Sequence, residues 1–304
     1  MVDANREELE FLADLLEKHP IDSLRKISEE EGVDYYRLKR LYDKYYGKYF
    51  YVNAVFNIDV IGLKSFVAFL SVPRDEIRSV AEKMLRNPFV AYLNPVFGFK
   101  NGLSGILYVP KDQVDLIGEY LSRYSDDYEY YEARSYPLTE GITYGDWNLS
   151  YDYAVLMDIL RVDARTPISK ISQRLGKSRT TVKYMINRLK NLDLIRTYIV
   201  SYDVPGYDRG ILGLAKDLKE EIFNVFKERE LLIGVLVGYG YSVECFFSST
   251  EDLADKILEF SKYVDKFVVE YFDVIDDLVD KYTKTIYSRM VKKDGSGYHS
   301  ILDF

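Results

Sequence analysis

A run of positive charge between residues 177 and 190 is the feature of the sequence that most directly suggests chemistry. It holds five cations and no acid, although the 304-residue chain has a net charge of −8. The cations are Lys177, Arg179, Lys183, Arg188 and Lys190. A solvated helix face usually mixes charges of both signs. The run therefore predicts contact with an anionic partner, and the alternative is a surface helix kept soluble by cations.

The apolar spacing predicts the elements that position these cations. Val182, Met185, Ile186 and Leu189 follow the i, i+3, i+4, i+7 spacing of a helix with one buried stripe. Ser178 stands where a residue would cap this helix. The stripe turns the opposite face outward, and the candidates for DNA contact on and beside that face are Lys177, Ser178, Arg179, Thr180, Thr181, Lys183, Tyr184, Asn187, Arg188 and Lys190.

The segments around this helix predict a winged helix-turn-helix. Two short helical patterns precede it, the second closed by Gly176, and "LIRTYIVSYD" follows it as a β segment. This order is that of a unit whose last helix enters the DNA major groove N-terminus first. Double-stranded DNA is therefore the expected partner.

The chain repeats itself at a shift of 144 residues. Lys26, Ile27 and Ser28 fall on Lys170, Ile171 and Ser172, Gly32 falls on Gly176, and Lys39 falls on Lys183. Self-similarity at a fixed period indicates one architecture used twice.

The second part of each copy has the β, α, β, β, α, β pattern of a ferredoxin-like sandwich. The fold class predicted is α+β, with two tandem copies of a winged helix-turn-helix followed by a ferredoxin-like domain. The predicted boundaries are 1–60 and 151–204 for the helix-turn-helix units, 61–136 and 205–280 for the ferredoxin-like domains, 137–150 for a linker holding Trp147, and 281–304 for a tail.

The first copy carries a more ambiguous helix. Asp34 stands at its cap position, and its outward candidates for DNA contact are Tyr35, Tyr36, Arg37, Lys39, Arg40 and Lys44. A tyrosine-rich surface also suits a protein interface, and the first helix of this copy is acidic. The sequence leaves both interpretations open.

The second copy resembles the feast/famine regulators of the Lrp/AsnC family, in an archaeal-like tandem form. The resemblance rests on "DAR", "ISKISQRLG", Ser178 with "TV", "RL" and "LI", followed by the ferredoxin-like pattern. It implies a transcriptional regulator whose ferredoxin-like domains pair through their sheets, within the chain or as a homodimer. The family often responds to amino acids. The turns "GYGYS" and "GFKNGLS" lack the Asp common in its effector motif, which argues against an amino-acid effector and leaves any effector open.

The amino-acid composition also narrows the location and chemical class of the protein. No apolar run approaches the roughly 18 to 20 residues that span a bilayer, which predicts a cytoplasmic protein without membrane contact. The single cysteine, Cys245, excludes a disulfide framework and is expected to be a buried thiol. The chain has only two glutamines but abundant Lys and Glu, a composition that resembles that of thermophile proteins.

Two rival functions share this plan. The predicted two-domain arrangement also resembles that of siroheme decarboxylases. Those enzymes depend on histidines, and this chain has only His19 and His299. The other rival is an interaction module that does not bind DNA. The sequence therefore predicts a transcriptional regulator that is not an enzyme and uses no metal or cofactor.

Overall fold

The structure is a computed structural model that describes residues 6–138, 141–202, 209–226, 231–247 and 253–304. The chain divides into two compact units. The helical unit combines residues 1–57 with 149–204, and the barrel unit combines residues 58–148 with 205–304. Each unit thus draws on both halves of the sequence.

The elements are numbered in chain order. The helices are α1 Arg6–Lys18, α2 Leu24–Glu31, α3 Tyr35–Tyr45, α4 Ile77–Leu85, α5 Ile117–Ser122, α6 Tyr151–Val162, α7 Ile168–Leu175, α8 Arg179–Asn191, α9 Ile222–Val225, α10 Leu253–Phe260, α11 Asp276–Thr283 and α12 Tyr287–Met290. The strands are β1 Phe50–Phe56, β2 Leu63–Ser71, β3 Val90–Gly98, β4 Gly102–Pro110, β5 Tyr128–Ser135, β6 Ile195–Tyr202, β7 Arg209–Ala215, β8 Leu231–Leu236, β9 Gly240–Phe247 and β10 Lys266–Tyr271.

The helical unit contains two groups of three helices and a strand. We call α1, α2, α3 and β1 the first helical group, and α6, α7, α8 and β6 the second helical group. The strand predicted as a wing, β6, pairs antiparallel with β1 from Phe50 opposite Tyr202 to Phe56 opposite Ile195. The two strands therefore join the groups in one two-stranded sheet.

The same local rules shape the third helix of each group. Asp34 accepts a hydrogen bond from the Arg37 backbone N–H at 2.7 Å, and Ser178 accepts one from the Thr181 N–H at 3.1 Å. Each cap satisfies a backbone donor that the first helical turn leaves unpaired. In both groups the second helix ends at a glycine in the left-handed conformation, Gly32 and Gly176. The predicted helix starts and ends are thus realised in both groups.

The barrel unit contains two antiparallel sheets with ferredoxin-like strand order, β3-β4-β2-β5 and β8-β9-β7-β10. Strand β5 pairs with β8, and β10 pairs with β3, so the sheets meet at both edges and close a barrel. Closure satisfies the backbone groups that an open sheet edge would expose. The sheets of the two halves are therefore joined within one chain.

The barrel unit buries an apolar cluster shared by both sheets and one carboxyl group. Phe69, Val96, Leu214 and Val268 form part of a shared cluster contributed by both sheets. Glu270 is also buried, and its Oε1 accepts a hydrogen bond from Ser104 Oγ at 2.8 Å. Loss of hydration on burial raises the pKa of this carboxyl.

Several smaller predictions also have an outcome. Cys245 is buried, as expected, and Trp147 is buried with its ring edge-on to Tyr298. The helix predicted between the first two strands of the second ferredoxin-like domain is short, since α9 spans Ile222–Val225 among the described residues. The predicted loose tail packs instead, since Ile301 is buried and its N–H donates to Gln113. The predicted domain boundary between residues 204 and 205 lies outside the described residues.

Among the described residues, the helices are too short or too polar to cross a membrane.

Candidate nucleic-acid interface

Helix α8 is anchored by the stripe that the sequence predicted. Val182, Met185 and Leu189 are buried, and Ile186 is half-buried. Leu156 and Ile171, from α6 and α7, are buried in the same group. Since these residues fix the rotation of α8 about its axis, they also fix which side chains face solvent.

The outward face of α8 is fully accessible. The predicted contact residues are all exposed: Lys177, Ser178, Arg179, Thr180, Thr181, Lys183, Tyr184, Asn187, Arg188 and Lys190. Tyr184 has 62% of its surface exposed, which is high for an aromatic residue without a partner to cover it. The structure therefore brings the predicted set together on one accessible surface, which we call the α8 face.

The charges of the α8 face are largely uncompensated. Lys177 pairs with Asp152 at 2.9 Å, and the Arg188 guanidinium lies 5.5 Å from the centre of the Tyr153 ring. Within the described part of the chain, Arg179, Lys183 and Lys190 have no carboxylate within ion-pair distance. Over residues 149–202 ten Lys and Arg stand against four Asp, a net charge of +6. The α8 face can therefore attract a polyanion.

The face of α3 that is equivalent to the α8 face also carries the predicted side chains, but acidic residues lie near them. Tyr36, Arg37, Lys39, Arg40 and Lys44 are exposed, and Tyr35 is half-buried. Lys39 pairs with Asp43, and Lys44 pairs with Glu8 at 2.8 Å. Over residues 6–57 nine Lys and Arg stand against eleven Asp and Glu, a net charge of −2. The cations of α3 thus have anionic neighbours that those of α8 lack.

Arg165 is a structural residue that the sequence analysis noted only within the "DAR" motif. Its guanidinium donates to the backbone oxygens of Pro20 at 2.9 Å and Asp22 at 2.8 Å, and to the Tyr42 hydroxyl at 3.2 Å. It also lies 5.2 Å from the centre of the Tyr42 ring. Arg165 therefore fastens the second helical group to the first. Its role depends on contacts 123 to 145 positions away in sequence, so no local pattern signals it.

His19 stands in a cluster of carboxylates that the sequence analysis missed. Its Nε2 lies 2.9 Å from Glu31, and its Nδ1 lies 3.3 Å from Asp22 and 3.4 Å from Glu30. The hydrogen bond to Glu31 is the main reason that the pKa of His19 is raised. Donor atoms of His19, Asp22 and Glu30 lie within 4.8 Å of one another, a spacing that a metal ion could bridge, but Lys26 already pairs with Asp22 and Glu30.

One pocket lies in the barrel unit beside the turn between β8 and β9. Its volume is about 370 Å³, and two cations, Arg134 and Lys216, line it with Tyr241 and the apolar side chains of Leu138, Val235, Leu236 and Val237. Arg134 also donates to Glu132 at 2.6 Å. The pocket could hold a small molecule that carries an acidic group on an apolar body.

Comparison with known proteins identifies the second helical group. Residues 151–196 match a winged helix-turn-helix DNA-binding family, so the chain contains a winged helix-turn-helix domain at this position. The match includes the whole of α8. It leaves open whether the chain is an Lrp/AsnC regulator. No curated protein matches the chain.

Solved structures resemble the chain along most of its length. A crystal structure of the siroheme decarboxylase NirDL aligns with a TM-score of 0.57 and 14% identity, covering 92% of this chain and 98% of that one. A second structure of NirDL, in co-complex with an iron-uroporphyrin III analogue, aligns with a TM-score of 0.56 and 14% identity, covering 92% and 99%. At this identity the likeness shows a shared fold.

These matches correct one prediction. The expectation that the chain is not an enzyme is wrong, because the sequence does not exclude one. An enzyme, NirDL, has the same fold over 92% of this chain. That expectation rested on the small number of histidines. A count of one residue type does not exclude a catalytic fold, because the fold is specified by the apolar pattern, and catalytic residues are placed on it separately.

Proposed function

We propose that the chain is a sequence-specific DNA-binding transcriptional regulator of the Lrp/AsnC type that contacts the major groove with α8. The observation that carries the proposal is the α8 face, where exposed cations without carboxylate partners stand on a rigidly packed helix. An α-helix fits the major groove, and its N-terminal turns approach the bases in helix-turn-helix proteins. The α+β scaffold and the winged helix-turn-helix at 151–196 support this proposal.

The spacing of the polar side chains divides them into two roles. Arg179, Lys183 and Asn187 are four residues apart and share one line along α8, with Thr180 and Tyr184 beside it. Arg and Asn side chains can each make two hydrogen bonds to guanine and adenine, respectively. We assign these five residues to base contacts.

The remaining candidates suit the phosphate backbone. Ser178 and Thr181 stand at the N-terminus of α8, where backbone N–H groups favour anions, and Lys177 lies just before them. Arg188 and Lys190 lie toward the other end. The Arg188 guanidinium lies over the Tyr153 ring, so its side chain is already restricted before DNA binds. Binding therefore costs Arg188 less conformational entropy.

The test is selection of bound sequences from random duplex DNA at two salt concentrations. If Lys177, Arg188 and Lys190 each neutralise one phosphate, the slope of log affinity against log salt is about −3. The substitution Lys190→Ala removes a cation assigned to the phosphate backbone, so it should weaken binding and reduce the magnitude of the slope by about 1. Lys293→Ala is the matched control, because it removes an exposed cation from the barrel unit with the same change in net charge. Equal effects of the two substitutions would contradict the proposal.

A second candidate function is favoured by the fold shared with NirDL, an enzyme whose co-complex contains an iron-uroporphyrin III analogue. In this chain the cations Arg134 and Lys216 of the barrel pocket could bind tetrapyrrole carboxylates. None of the described residues that line the pocket is a histidine that could ligate the iron. Mixing the protein with iron-uroporphyrin III and recording the absorption spectrum separates the candidates. A shifted Soret band that is lost in Arg134→Ala/Lys216→Ala would support the enzyme.

A further inference from the structure

The two helical groups form a fixed pair inside one chain. Besides the β1–β6 pairing, the Ala164 N–H donates to the Val52 oxygen at 2.6 Å. The Asn53 amide donates to the Arg161 and Val162 oxygens at 2.8 and 2.9 Å, at the C-terminal end of α6. The Tyr46 hydroxyl donates to Asp163 at 2.5 Å. One chain thus holds two helix-turn-helix-like groups, the number that a dimer uses to bind a palindromic site.

The outward cations of α3 are engaged with neighbours in its own group. Lys39 pairs with Asp43 one turn along the helix, and Lys44 pairs with Glu8 of α1. The hydrogen bonds from Lys44 and Tyr45 are the main reason that the pKa of Glu8 is lowered, and Arg40 adds a Coulombic contribution. The Arg37 guanidinium lies 5.0 Å from the centre of the Phe11 ring. A phosphate would have to compete with these partners for Lys39, Lys44 and Arg37.

The rest of the first helical group adds repulsion. Exposed acids stand along α1, at Glu7, Glu10, Asp14 and Glu17. The net charge of −2 over residues 6–57 contrasts with +6 over residues 149–202. Because phosphate contacts supply much of the affinity for DNA, a group with this charge contributes little to it.

We propose that each chain binds DNA through α8 alone, so that its target is one asymmetric half-site rather than a palindrome. This inference rests on the proposed function, because it specifies the DNA that the α8 face contacts. A single recognition helix covers the major groove over about half a helical turn, whereas paired half-sites are centred about 10 base pairs apart. The first helical group then holds the second in place through β1, Asn53 and Tyr46.

Selection from random DNA, followed by hydroxyl-radical footprinting of a complex with one chain per duplex, tests the inference. We expect a sequence without dyad symmetry and a single protected segment. Arg179→Ala/Lys183→Ala should weaken specific binding about 100-fold. The control, Tyr35→Ala/Lys39→Ala, alters the same two positions of α3 and should change binding less than about twofold.

The outcomes separate this inference from the proposed function. A palindromic site with two protected half-sites under one chain would overturn the inference and leave the proposed function intact. An equal loss of DNA affinity in both double variants would also overturn the inference and leave the proposed function intact. The absence of any enriched sequence would overturn both.

Discussion

Helices α3 and α8 have the same scaffold and opposite electrostatics. Each begins at a polar cap, Asp34 or Ser178, and each buries one apolar stripe. Yet Lys39 and Lys44 of α3 are paired with acids, while Arg179 and Lys183 have no such partner among the residues described. The difference shows that caps and apolar spacing build a recognition-type helix, whereas the neighbours of its outward side chains determine what it can bind.

The largest expected effect is the loss of stability when a buried side chain of α3 or α8 is truncated. Leu41 and Met185 are equivalent at the shift of 144 and are both buried. Truncation of either side chain leaves a cavity, so Leu41→Ala and Met185→Ala should each lower the free energy of unfolding by about 2–5 kcal/mol. Chemical denaturation measures this. A large cost at one position and almost none at the other would show that the scaffolds differ.

The next effect concerns the caps. Asp34→Ala and Ser178→Ala should each destabilise the protein by about 1 kcal/mol, because each leaves a backbone N–H of the first turn without its partner. Asp34→Ser and Ser178→Asp are the controls, since both residues can cap a helix, and they should retain most of the stability in the same denaturation experiment. Destabilisation by the controls equal to that by alanine would contradict a capping role.

A smaller effect tests the electrostatic difference directly. Glu8→Gln/Asp43→Asn frees Lys39 and Lys44, so nonspecific affinity for duplex DNA at low salt should rise about 3- to 10-fold. Asp14→Asn/Glu29→Gln removes two exposed acids of the same group and is the control. Fluorescence anisotropy with a labelled duplex measures both. Equal gains would mean that net charge, rather than local pairing, distinguishes α3 from α8.

The smallest effect is a pH dependence confined to the first helical group. The pKa of His19 is raised, chiefly by the hydrogen bond with Glu31, so the folded state binds this proton more tightly than the unfolded state. The stabilisation is complete below the ordinary His pKa of about 6.5 and is lost as pH rises through the raised folded value.

The comparison of melting temperatures across pH tests this dependence. The difference between the wild type and His19→Gln should be largest near pH 6 and should shrink as the pH becomes alkaline. Asp163 occupies the equivalent position at the shift of 144, so the second helical group lacks this histidine. A difference that does not vary with pH would contradict the assignment.

Much of the candidate site was predictable from the sequence. The stripe of Val182, Met185 and Leu189, the cap at Ser178 and the exposed cation run follow from spacing within a few residues. The strands of the barrel unit and the burial of Cys245 were predictable for the same reason. The short α9 was not, because a helical pattern in the sequence does not show which residues tertiary packing keeps helical.

The sequence by itself determined where the recognition-type helices begin, which face they bury and which charges they carry, because these depend on neighbours one or two turns away. Only the tertiary structure decided which cations are neutralised, since Glu8 reaches Lys44 from another helix. It also decided that the two sheets close into one barrel within a single chain. Ion pairs and sheet closure join residues far apart in sequence, and their partners are fixed only when the chain has folded.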